Sequence, residues 1–194
     1  MKVFFIRHGE TTGDVEDRYG GAYDDELSPK GLEQVSSLCE ELKEKGIETI
    51  FRSPLLRAKK TAQSLADASE CSVVEVDDLR ERNQYGPLTG MTKQEAREKH
   101  PDLVKQLKNH LNTLPNAESY QDASERTTRA YHQVLEKTNK CSAVVWHGGG
   151  MRVLFRDILK LGELKGIGDC SWVELNVDGD QFEIGQSVRV ERED

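Results

Sequence analysis

Short apolar runs of strand length alternate with helical patterns along most of the 194 residues, and this alternation restricts the chain to few folds. Residues 2–7 read as a buried strand. Ser28-Pro29 then opens a helix, with serine as cap and proline in the first turn. Leu32, Val35, Leu38, Cys39 and Leu42 give that helix an apolar face, and Gly46 ends it. A second strand is expected over 47–52, and Ser53-Pro54 repeats the cap-and-proline device before a helix lined by Leu55, Ala58, Ala62, Leu65 and Ala66. Residues 72–76 read as a third strand. Thr92 and Glu95 fit a capping box, Pro101 interrupts the helical pattern, and Leu103, Val104, Leu107 and Leu111 resume it. Ala123, Thr127, Ala130, Tyr131 and Val134 mark another helix. A strand follows over 142–146, and residues 148–150 lead into a helix carrying Val153, Leu154, Ile158 and Leu161. The tail alternates in strand fashion through Trp172 to Val177, and Asp178-Gly179 is a hairpin turn. Strands interleaved with helices predict an α/β fold: a three-layer α/β/α sandwich with a mostly parallel central sheet. One domain is expected over 1–194, with the central helices, about 88–125, forming a small cap inserted beside the sheet.

Charge narrows the partners. Acidic side chains outnumber basic ones 35 to 27, a formal charge of −8, so no basic excess exists to neutralise a polyanion, and nucleic acid is not an expected partner. No apolar run approaches the roughly 18 residues of a membrane span. Val3-Phe4-Phe5-Ile6 is too short for a signal-peptide core of about 7–15 residues. The expectation is a cytoplasmic protein with no membrane partner. Cys39, Cys71, Cys141 and Cys170 form no close pair, which leaves neither a redox motif nor a zinc knuckle and suggests buried reduced thiols.

The candidate chemistry lies at strand ends. His8 and His147 each end a strand and each precede glycine. In open parallel sheets ligands bind outside the carboxyl ends of the strands, so neighbouring strands would aim both imidazoles into one crevice. Arg7 precedes His8, Arg57 follows the second strand and Glu81 follows the third. Two guanidinium forks match phosphate oxygens. An imidazole between cations stays neutral, hence nucleophilic, near pH 7. A carboxyl group can protonate a leaving alkoxide. Together these parts suit phosphoryl transfer through a phosphohistidine without a metal. The net charge does not oppose this, because a single phosphate answers to the local field where Arg7 and Arg57 converge. His100, His110 and His132 lie on polar helical segments and read as solvated; Trp146 and Trp172 read as core.

Arg7-His8-Gly9-Glu10-Thr11 resembles the signature of the histidine phosphatase superfamily, which includes the cofactor-dependent phosphoglycerate mutases. Further blocks follow in order: Arg18, Gly21, Asp24 and the run from Leu27 to Gln34; Ser53-Pro54-Leu55-Leu56-Arg57-Ala58; Leu79-Arg80-Glu81-Arg82 with Tyr85-Gly86-Pro87-Leu88; Glu118-Ser119 with Arg126; and His147-Gly148-Gly149. The resemblance implies that His8 attacks phosphorus while Arg7, Arg57 and His147 hold the equatorial oxygens. Glu81 would protonate the departing oxygen and then activate water. Asp14, Thr11, Thr12, Gly20, Gly21, Arg82 and Gly148 would supply further phosphate or substrate contacts. No cofactor is implied.

The sequence also departs from the family. Asp14 stands where many relatives carry asparagine, which can donate to phosphate as an ionised aspartate cannot. Four residues separate Glu81 from Gly86, where relatives often have three. Lys105-Gln106-Leu107-Lys108-Asn109 lacks the arginine pair with which mutases grip a substrate carboxylate, and the tail after Arg189 is short. These features favour a phosphatase acting on a small phosphorylated metabolite. The alternatives are a phosphoglycerate mutase, which would isomerise without releasing phosphate, and a pseudoenzyme that only binds a phosphorylated ligand.

Overall fold

The computed structural model describes residues 1–192. Its sheet has six strands: β1 (Lys2–Arg7), β2 (Thr49–Arg52), β3 (Ser72–Glu75), β4 (Cys141–Trp146), β5 (Leu164–Asp178) and β6 (Gln181–Arg192), in the order β3-β2-β4-β1-β5-β6. The first four are mutually parallel. β5 runs antiparallel to β1, and β6 antiparallel to β5. The helices are α1 (Thr12–Val15), α2 (Pro29–Leu42), α3 (Leu56–Ser69), α4 (Lys93–Lys99), α5 (Pro101–Gln106), α6 (Tyr120–Lys137) and α7 (Gly148–Arg152).

Strand alternation explains the layers. In β1, Phe4 and Ile6 join Val35, Leu38, Ala62 and Leu65 of α2 and α3 in one apolar cluster. Val3 and Phe5 face the other way and join Tyr131 and Val134 of α6 with Leu154 and Phe155. β4 divides likewise, Ala143 and Val145 to the first cluster and Val144 and Trp146 to the second. Both tryptophans are core. A third, smaller cluster gathers Leu88, Ala96 and Leu114, with Leu103, Val104 and Leu107 packed against it and Leu111 exposed. Cys39, Cys141 and Cys170 are buried free thiols, and Cys71 is half-buried. No helix among the described residues is long and apolar enough to cross a membrane.

Several local expectations are corrected. Leu32 lies on the outer face of α2, 55% exposed. Gly31 takes the inner position, where a Cβ would stand 2.0 Å from the Glu10 carbonyl oxygen, and this close approach sets the helix rotation. Ser53 does not cap α3, which begins at Leu56. The Leu56 amide donates instead to Asp24 Oδ1 at 2.7 Å, while the Ser53 Oγ accepts the preceding Leu55 amide and meets His147. The helix after His147 is α7 alone, and residues Val153–Ile158 form a π-helical turn. The hairpin expected at Asp178-Gly179 is present: Asp178 pairs with Gln181, and Gly179 turns in left-handed backbone at φ 56°.

Candidate active site

β1 and β4 pair in register with Arg7 opposite Trp146, so the next residues, His8 and His147, leave the sheet together. Their ring centroids are 5.1 Å apart. His8 is buried, and its ring nitrogens have separate partners. Nδ1 lies 2.8 Å from the Gly9 carbonyl oxygen, which can only accept, so Nδ1 carries the proton. Nε2 is left as a lone pair, and Arg57 Nε donates to it at 3.1 Å. Burial, then the Arg57 and Arg7 charges, hold the imidazole well below its ordinary pKa. The same effects, burial first, hold His147 down.

Neither arginine stands as a free cation. Arg57, also buried, donates through Nη1 to Tyr23 O at 2.8 Å and Asp25 Oδ1 at 3.1 Å, and through Nη2 to Gly21 O at 2.9 Å. Arg7 donates through Nη1 to Ile167 O at 2.7 Å, and its Nη2 lies 3.1 Å from Asp169 Oδ1 and 3.7 Å from Asp14 Oδ1. Burial pushes the Asp169 carboxyl up, against the pull of Arg7.

Glu81 reaches the same place. Its Oε2 accepts from the Gly149 amide at 3.2 Å and its Oε1 from the Arg82 amide at 2.8 Å. The backbone around it is tied by two buried arginines. Arg126 forks both Glu118 oxygens at 2.8 Å and donates to the Asp78 and Arg80 carbonyls at 2.7 and 2.8 Å. Arg82 donates to the carbonyls of His110 and Glu118 at 2.8 and 3.1 Å and lies over the Tyr120 ring. The lengthened acid segment thus closes onto residues 110–118. Gly86 completes that closure: it is left-handed, and a Cβ there would fall 2.3 Å from Pro115 O.

A cavity of about 430 Å³ opens over these groups. Arg7, His8, Arg57 and Glu81 line it, as do Thr11, Asp14, Gly20, Gly21, Arg82 and Gly148. Two expected residues stand apart. Thr12 is off the cavity wall, its amide held by Glu26 O at 2.9 Å. His147 is fully buried and does not line the cavity, but its ring centroid is 5.1 Å from that of His8, which does. The Thr11 hydroxyl is committed to the N-cap of α1: it accepts from the Asp14 amide and donates to Asp14 Oδ2. The Arg82 fork is committed to carbonyls. His110 is exposed as expected, yet it lines the cavity with its ring 5.1 Å from that of Tyr120. Sequence reasoning missed Asp25 and Asp169, since nothing local pairs a carboxylate with an arginine far along the chain. It also missed Tyr120, Arg152 and Arg156 on the wall, although the last two share a helical face by their spacing of four. Among the described residues, no group of three or more His, Cys, Asp and Glu is placed to hold a metal ion.

The family model of the histidine phosphatase superfamily (branch 1) matches residues 3–188. A metal-independent phosphoserine phosphatase of Arabidopsis thaliana is 31% identical over 182 residues, which are 91% of this chain and 75% of that protein. A protein of Escherichia coli named a probable phosphoglycerate mutase is 31% identical over 164 residues, 83% of this chain and 76% of its own. Among solved structures, a mycobacterial glucosyl-3-phosphoglycerate phosphatase superposes with a TM-score of 0.84 at 25% identity, covering 95% of this chain and 96% of that one.

Proposed function

The chain belongs to the histidine phosphatase superfamily and is a phosphatase, and on that footing we propose that it hydrolyses a small phosphorylated metabolite through a phosphohistidine, without a metal. The observation that carries the reading is the state of His8: buried, neutral, its proton held on Nδ1 by Gly9 O and its Nε2 lone pair facing Arg57. Nε2 attacks phosphorus in line with the ester oxygen. Arg57 Nε then turns from the consumed lone pair to a phosphoryl oxygen, and Arg7, Arg57 and His147 hold the equatorial charge. Glu81, fixed against Gly149, protonates the leaving oxygen and afterwards takes a proton from the water that attacks the phosphohistidine. The cavity volume and the names of the relatives support a small substrate. The segment of about 88–125, which includes α4 and α5, serves as the cap that selects it, in the cytoplasm.

The test is a panel of phosphorylated metabolites, scored for both phosphate release and isomerisation, with wild type and His8→Ala. Phosphate release that disappears in the variant is expected. Equal hydrolysis by both proteins refutes the assignment of His8, and isomerisation without net release makes the protein a mutase.

A further inference from the structure

His147 is fully buried, and its two nitrogens have unequal surroundings. Nε2 lies 2.7 Å from Ser53 Oγ, and Nδ1 has no hydrogen-bond partner among the described residues. Ser53, equally buried, follows β2, the neighbour of β4 on the side away from β1. Its Oγ accepts the Leu55 amide at 3.2 Å; His147 is its other partner. Pro54 between them has no amide to offer.

Counting protons decides how this set is arranged. Burial and the neighbouring Arg57 charge keep His147 neutral, so the ring carries one N–H. Were that proton on Nε2, it would donate to Ser53 Oγ. The serine hydrogen would then have no acceptor and Nδ1 no donor, leaving two buried groups unmet. With the proton on Nδ1, the Ser53 hydroxyl donates to Nε2, its oxygen keeps the Leu55 amide, and only Nδ1–H is unmet. Buried polar groups without partners cost free energy, so the arrangement with one such group prevails.

We propose that Ser53 is a positioning residue: it fixes His147 as the Nδ1–H tautomer and so reserves a donor for a phosphoryl oxygen during transfer to and from His8. This rests on the reading above in which His147 holds an equatorial oxygen. The sheet order supports it. Ser53 and His8 flank His147 on opposite sides, and the ring nitrogens point apart, so pinning Nε2 toward β2 turns Nδ1 away from that strand. The buried Nδ1–H is then a donor that a phosphoryl oxygen can meet in the transition state.

The first measurement needs no variant. The imidazole ¹⁵N signals of labelled wild-type protein are expected to show His147 protonated at Nδ1; protonation at Nε2 overturns the proposal. In Ser53→Ala, both tautomers become accessible. The kcat is expected to fall about tenfold and vanadate affinity by a similar factor, with KM changed less than about twofold, because the lost donor acts on the transition state. Ser53→Thr restores the hydroxyl and is expected to recover tautomer and rate together. Ser53→Ala with wild-type kcat and an unchanged tautomer refutes the role. His147→Ala separates the two readings: wild-type turnover there removes the equatorial role of His147 itself, whereas a crippled His147→Ala beside an unaffected Ser53→Ala refutes only the present inference.

Discussion

Gly149→Ala tests the placement of Glu81 without touching the carboxylate. A Cβ on Gly149 would stand 2.5 Å from Glu81 Oε1, 3.1 Å from Cδ and 3.2 Å from Oε2. Ordinary Cβ contacts are at least 3.0–3.4 Å, so the carboxylate must retreat by about 0.5–0.9 Å and give up the Gly149 amide. A misplacement of about 1 Å can cost on the order of 100-fold in rate. We therefore expect kcat/KM on an alkyl phosphate to fall about 10- to 100-fold, or about 1.4–2.7 kcal/mol of transition-state stabilisation. An aryl ester whose leaving group departs as a stable anion needs no proton, and its kcat/KM is expected to stay within about threefold. The fold should hold. Glu81 is the flexible end of a side chain, and alanine is favoured over glycine in a helix by about 0.5–1 kcal/mol. The assay is kcat/KM on the two esters with the melting temperature as control. Equal losses on both, or wild-type rates on the alkyl ester in a folded variant, refute Glu81 as the acid held by this amide.

Two further outcomes follow from the site. Asp14→Asn is expected to preserve kcat/KM or raise it by up to about fivefold, since it removes a charge worth about 1 kcal/mol near Arg7 while its amide oxygen still caps Thr11; a large loss shows that the carboxylate itself is used. Stability is expected to fall between pH 7.5 and 5.5. His8 and His147 resist protonation in the folded state but bind protons once unfolded below about pH 6.5, so each contributes stability that is present above that pH and lost below it, of order 1 kcal/mol apiece. Urea midpoints at the two pH values check this, and His8→Asn should show a smaller drop than wild type; an equal drop contradicts the buried neutral state of His8.

What could be read ahead of the structure was whatever the chain writes locally. Strand ends at His8 and His147 follow from apolar runs that stop at a polar residue, and the capping box at Thr92 and Glu95 is a contact three residues long. The misreadings are all cases where tertiary demand overrode a local rule. Ser53-Pro54 has the form of a helix start, yet the hydroxyl is drawn to a histidine 94 residues away, and a side chain from another loop, Asp24, meets the α3 amide. Leu32 fits the apolar spacing, yet the approach of Glu10 to Gly31 rotates it outward. The Ser119 cap with Asp122 marks Tyr120 as the first residue of a helix, but its place between Arg82 and Arg156 exists only once the segments are folded together.

Pairing changes what the charge of the crevice means. A converging, unpaired Arg7 and Arg57 would make a cationic patch that attracts any anion. Instead Asp25 faces Arg57, with both side chains only 4% exposed, and Asp169 and Asp14 face Arg7. The two guanidinium charges are thereby offset within the resting fold, and their orientations are set by these partners. In the proposed mechanism selectivity then comes from directed N–H groups: Arg57 Nε is aimed at His8 Nε2, the proposed nucleophile, while the rest of its fork is held by Tyr23, Asp25 and Gly21. On that proposal, charge developing on the phosphoryl oxygens would meet oriented donors in a buried setting, where they stabilise a transition state most. An extended polyanion has little to gain there, because one phosphoryl group can occupy the donors and the chain as a whole is acidic, with a net charge of −8. The carboxylates beside the arginines therefore make the site narrow as well as stable, and they act against nonspecific anions that a bare arginine pair would hold.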